Sequence, residues 1–105
     1  MNEFSEIKVT CADKDEAARL GRLLVEKWLA ACIQVSGPIE SLYRWNGKIE
    51  SAEEWLLTIK TRTCLFDEVS ELVRANHSYE VPQIVAVELT EISPAYEEWL
   101  AGQIH

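Results

Sequence analysis

The chain predicts an α+β domain in which an antiparallel sheet carries its helices on one face. Three observations predict it. Four short segments alternate apolar with polar residues or run apolar between turn signals, as strands do. Two longer segments repeat apolar residues at three- and four-residue spacing, as amphipathic helices do. Their order is β-α-β-β-α-β followed by a short last helix, which is the order of the split βαβ, or ferredoxin-like, sandwich.

The elements follow from local chemistry. Ile7, Val9 and Cys11 alternate with Lys8 and Thr10, giving a first strand from about Phe4. Asp13 can cap a helix and Glu16 stands three residues on, where an acid suits the positive helix end. Ala17, Leu20, Gly21, Leu24 and Trp28 then recur at helical spacing, so the first helix is expected over about 14–30. Cys32 to Val35 reads as the second strand. Gly37-Pro38 breaks or bulges it, because Pro38 has no N–H to donate, and the strand resumes from Ile39 through Trp45. Asn46-Gly47 is a two-residue hairpin signal leading into a third strand, about 48–60, in which Ser51 to Glu54 suggests a second bulge. Thr63 is a candidate cap for a second helix striped by Leu65, Phe66, Val69, Leu72 and Val73, with its exit at Asn76-His77-Ser78. A fourth strand is expected from Tyr79 to about Leu89. Ser93-Pro94 then offers a cap and a first-turn proline for a last helix carrying Tyr96, Trp99 and Leu100.

A chain of 105 residues makes one domain of ordinary size and buries roughly two thirds of its unfolded surface. Nearly half the residues are hydrophobic, so the composition is that of a folded protein. Ten Lys and Arg stand against 18 Asp and Glu, a net charge of -8, which argues against nucleic-acid and anionic-membrane partners. No apolar run is long enough for a transmembrane helix, and the first residues carry no secretory signal. Three widely spaced cysteines, Cys11, Cys32 and Cys64, form neither a disulfide framework nor a CxxC motif. A cytoplasmic protein with reduced thiols is the expectation.

Two strands carry more apolar surface than a one-sided sheet needs. Trp55-Leu56-Leu57 and Ile84-Val85-Ala86-Val87 place large groups on both faces, and two helices cover only one. A bare second face would be an apolar patch of the size that marks interaction sites, and a symmetric homo-oligomer is the simplest cover. Tyr43, Trp45 and Trp55, on the hairpin arms, are candidates for that interface or for a ligand pocket; the alternative is that they fold back on their own core.

Four segments, LVEKWLAACIQV (24–35), SLYRWNGKIE (41–50), EEWLLTIKTRT (53–63) and HSYEVPQIV (77–85), together resemble the CutA divalent-cation-tolerance family, in its order and spacing. Asp13 and the Tyr96–Leu100 stretch also fit. The resemblance implies a ferredoxin-like homotrimer built by sheet packing, a part in tolerance to copper and other divalent cations, and no obligatory cofactor. It also implies a metal site using imidazole at the His-x-Tyr segment, His77, and a first-strand thiol. The family's thiol position falls on Val9 here, and Cys11 lies two residues on, on the same strand face. Ser78 and Gln83 replace the family's usual Pro and Glu in that segment. Tyr79 joins the interface or pocket candidates.

Thiolate with imidazole suits copper or zinc. His77 has a second reading, a hydrogen bond to a neighbouring carbonyl at a helix exit. Cys32 reads as packed and inert, and Cys64, near a helix start, as the most reactive thiol. His105 is expected to fray. Glu50, Glu53 and Glu54 read as a solvated strand edge, and Lys60 as a lysine needing a carboxylate partner if buried. No P-loop, HExxH or nucleophile-elbow motif is present, so no enzymatic activity is expected. The rival to cation tolerance is a PII-like trimeric module that senses small molecules, whose mark would be a long loop between the second and third strands.

Overall fold

The computed structural model describes residues 2–104; His105 lies outside them. The elements are β1 (Phe4–Cys11), α1 (Lys14–Glu26), β2 (Cys32–Trp45), β3 (Lys48–Arg62), a 3-10 turn (Thr63–Leu65), α2 (Phe66–Asn76), β4 (Ile84–Glu88) and α3 (Pro94–Gly102). The strands form one sheet in the order β2-β3-β1-β4, and every pair is antiparallel. This is the expected α+β sandwich.

The register explains which side chains meet. Ile7 pairs with Ile59 and Val9 with Leu57, so these four share a face. Against that face pack Leu20 and Leu24 of α1 and Val69 and Val73 of α2, all fully buried. Each such side chain stabilises the fold by about 1.5–3 kcal/mol relative to exposure. The opposite face carries Glu6, Lys8, Thr58 and Lys60, with Leu56, Val85 and Val87 among them. α3 shelters only one end of it, where Leu100 and Ile104 pack on Phe4. Val85 and Val87 remain 47% and 54% exposed.

Four local readings of the sequence need correction. α1 ends at Glu26, because Trp28 adopts a left-handed φ of 61°. There the Leu29 N–H reaches back to Leu24 O and the Trp28 N–H to Val25 O, a Schellman stop built without glycine. Thr63 does not cap α2; it opens the 3-10 turn, and its hydroxyl hydrogen-bonds the Ser5 hydroxyl at 2.7 Å. β4 starts at Ile84, five residues later than Tyr79; the Ser78 and Tyr79 N–H groups are taken by Glu16 and by His77 rather than by a neighbouring strand. Residues 51–54 hold regular register with β2, so no bulge lies there.

The expected bulge at Gly37-Pro38 is present, and it redirects the hairpin. Between Ser36↔Leu56 and Ile39↔Glu54, β2 advances three residues while β3 advances two. The extra residue exchanges the parity of β2. Before it, odd residues such as Ile33 and Val35 face the helices; after it, odd residues face the other way. Tyr43 and Trp45 therefore share the open face with Glu54. The hairpin closes through Asn46 (φ 51°) and Gly47 (φ 77°), the pair of positive angles a two-residue type I′ turn requires.

Gly37 is where this device is tightest. A Cβ there would lie 2.7 Å from Cδ2 of the Trp55 ring, which also carries the Lys14 ammonium at 5.7 Å from its centroid. A rigid indole cannot yield as an alkyl tip does. Gly37→Ala is expected to lower unfolding free energy by about 1–3 kcal/mol in chemical denaturation, the usual cost of overpacking. An unchanged denaturation midpoint contradicts this packing.

Candidate functional site

The end of β1, the start of α1 and the exit of α2 meet at one point. Asp13 caps α1, its Oδ1 accepting from the Glu16 N–H at 2.8 Å. Glu16, in the first turn, reaches back so that Oε1 accepts from the Ala12 N–H at 3.0 Å. Its Oε2 accepts from the Ser78 N–H at 2.7 Å, tying the α2 exit to the α1 start. His77 completes the clasp: Nε2 donates to Thr10 O at 2.8 Å, and Nδ1 accepts from the Tyr79 N–H at 2.9 Å. One tautomer, with its proton on Nε2, satisfies both contacts. His77 thus makes the carbonyl bond foreseen for a helix exit.

Cys11 sits beside this clasp, fully buried on the helix-facing side of β1. The ligand atoms of Cys11, Glu16 and His77 all lie within 4.8 Å of one another. Burial pushes the Cys11 thiol up to about 12, and the nearby Glu16 carboxylate adds to the shift. For Glu16, burial acts upward, but the hydrogen bonds from Ala12 and Ser78 outweigh it and hold the carboxyl below its ordinary value. In kind, the three donors fit a borderline or soft divalent cation, copper or zinc, with a fourth position left to solvent or a further ligand. In cost, they are already engaged. A cation must displace a proton from Sγ and one of the two hydrogen-bond partners of the imidazole, Thr10 O at Nε2 or the Tyr79 N–H at Nδ1.

A cavity of about 570 Å³ opens beside the cluster, at the hairpin end of the open face. Thr10, Tyr43, Trp45, Glu54 and Tyr79 line it. The Tyr79 ring tilts against His77, with centroids 4.8 Å apart, and its hydroxyl donates to Glu54 Oε2 at 2.8 Å. Burial, then the adjoining Glu54 carboxylate, pushes the tyrosine hydroxyl up. Three pocket candidates, Tyr43, Trp45 and Tyr79, thus come together. Trp55 does not join them; it pairs with Cys11 on the helix-facing side and packs on the main core.

Two residues of this region escape sequence reading as site residues. Glu16 reads as a helix cap, and only the fold brings Ser78 and His77 to its second oxygen. Glu54 is expected on a solvated edge beside Glu50 and Glu53, but it is only 7% exposed while those two lie outside. The signal was the alternation of Trp55, Leu57 and Ile59, which puts Glu54 on the same face as Leu56. Lys60 finds its partners on the open face, donating to Gln34 Oε1 at 2.8 Å and lying 3.8 Å from Glu6 Oε2. Cys32 is half-buried, and Cys64 is exposed.

With this geometry in place, comparison with known proteins decides the family. The family described as CutA1 divalent ion tolerance protein matches residues 6–103. The chain belongs to the CutA1 family. Protein CutA, chloroplastic, of Arabidopsis thaliana is 42% identical over 94 residues, 90% of this chain and 52% of that protein. The divalent-cation tolerance protein CutA of Archaeoglobus fulgidus is 39% identical over 94 residues, covering 90% of this chain and 91% of that one. The chain spans about half the length of the Arabidopsis, rice and mouse relatives it matches. Among solved structures, CutA1 of Oryza sativa superposes with a TM-score of 0.95 at 36% identity, over 99% of this chain and 95% of that one. CutA of Xylella fastidiosa gives 0.94 at 34% identity, over 99% and 100%.

In this CutA1-family chain, Glu16 is the residue on which the clasp turns. Its carboxyl is held below the ordinary 4.5, so the stability it contributes is present above that value and fades as pH falls through the lowered one. Glu16→Gln keeps one acceptor but turns an amide N–H₂ toward a backbone donor. The variant is expected to lose about 1–3 kcal/mol near pH 7, with the gap to the parent closing as pH falls below 4.5. Urea denaturation across that range measures it, and a gap that stays constant to low pH contradicts the role given to the carboxylate.

Proposed function

We propose that this chain works in divalent-cation tolerance as a cytoplasmic homotrimer that binds a cation weakly at Cys11, Glu16 and His77 and performs no catalysis of its own. The observation that carries the reading is the convergence of thiol, carboxylate and imidazole within 4.8 Å. Family membership supports it, and two relatives of nearly the same length bear the name divalent-cation tolerance protein. The hydrogen bonds already made by Glu16 and His77 favour weak, reversible binding over a closed structural site. Assembly is supported by the open face, where Val85 and Val87 stay half exposed, and by the other face of the projecting hairpin, where Leu42 (68%) and Ile49 (71%) reach solvent. The number three comes from the family resemblance. The PII-like alternative gains no support from the hairpin, which closes in a two-residue turn.

Titration with Cu²⁺ and Zn²⁺ by isothermal calorimetry tests the metal reading. One cation is expected per chain, with affinity rising with pH because the bound thiol must give up its proton. Cys11→Ser and His77→Gln should each weaken binding about tenfold or more. Equal affinity in both variants, or affinity independent of pH, would overturn the assignment.

A further inference from the structure

The cavity beside the cluster has a chemistry of its own. Two carboxylate residues, Glu54 and Glu80, line it, and no lysine, arginine or histidine does. Glu54 is more than nine-tenths buried, and the Tyr79 hydroxyl on Oε2 is its only hydrogen-bond donor among the described residues. No cationic side chain of the cavity wall meets this carboxylate, so a cation entering the cavity would find an acceptor there.

The walls say which kind of cation. Tyr43, Trp45 and Tyr79 bring three aromatic side chains to one space, and Tyr43 and Trp45 are about half exposed. Of these rings, only Tyr79 makes a ring contact among the described residues, with His77. Aromatic faces attract cations that shed water easily, and alkylated ammonium groups are the best matched of these. A hard divalent ion asks for six or more oxygen ligands, whereas Tyr43, Trp45 and Tyr79 give much of this wall to aromatic rings. A volume of about 570 Å³ lies within the range of small-molecule sites.

We propose that this cavity binds a small organic cation bearing an alkylated ammonium group, with Glu54 as counter-charge and Tyr43, Trp45 and Tyr79 as its aromatic walls. The site is separate from the metal cluster and does not depend on it. The one-residue bulge in β2 creates it, since without that bulge Tyr43 and Trp45 would face away from Glu54. It lies at the hairpin end of the face proposed for assembly, so the test uses the full chain in its native assembly.

The probe is tetramethylammonium, with tert-butanol as an uncharged molecule of similar shape, each titrated at constant ionic strength and followed by saturation-transfer NMR. The ammonium methyls are expected to show a saturable signal and tert-butanol none. Glu54→Gln, which can still accept the Tyr79 hydroxyl, should weaken the apparent affinity about tenfold. Trp45→Leu alters an exposed side chain and should weaken it several-fold, with circular dichroism confirming that both variants are folded. Three results would overturn the proposal: no saturable tetramethylammonium signal, equal binding of the two probes, or binding unchanged in both variants. The first would also be the outcome if a neighbouring copy of the chain fills the cavity.

Discussion

A four-stranded sheet has two faces, and the two long helices of this chain shelter one. Everything distinctive about the molecule follows from how the other face is left. Its middle is mixed, with Glu6 hydrogen-bonded to Lys8 at 2.8 Å and ion-paired to Lys60 at 3.8 Å, while Val85 and Val87 stand half in water beside them. One end is closed by α3, through Leu100 and Ile104 on Phe4. The other end holds the aromatic cavity. A surface so divided, apolar patches between satisfied ion pairs, has the make-up of a specific interface, where charges set register and burial supplies the driving force.

The bulge at Gly37-Pro38 links this constraint to chemistry. One extra residue in β2 reverses which side chains of the hairpin face the open side, and it carries Tyr43 and Trp45 to Glu54. On the same path lies Tyr79, whose backbone N–H anchors His77 and whose hydroxyl reaches Glu54. The Cys11–Glu16–His77 cluster and the cavity are therefore neighbours. His77 also bonds the carbonyl of Thr10, a cavity-lining residue.

Much of the fold was legible because periodicity and turn chemistry speak locally. Asn46-Gly47 names its turn, Pro38 announces the bulge, and the stripe from Ala17 to Leu24 declares a helix. The stop of α1 was hidden because the left-handed position is filled by Trp28, where glycine is the usual sign. The late start of β4 was hidden because the competing hydrogen bonds of residues 77–79 come from Glu16 and His77, about sixty residues away in one case and within the segment in the other. The candidate site divides in the same way. Cys11 and His77 could be named from resemblance, but Glu16 and Glu54 acquire their roles only from tertiary placement.

Sedimentation velocity at micromolar concentration tests the uncovered sheet face most directly. The account predicts a single species of three times the 12.0 kDa chain mass, and dissociation when a carboxylate is placed on that face by Val87→Glu. A folded particle of 12.0 kDa, stable and soluble in the unsubstituted protein, would contradict it.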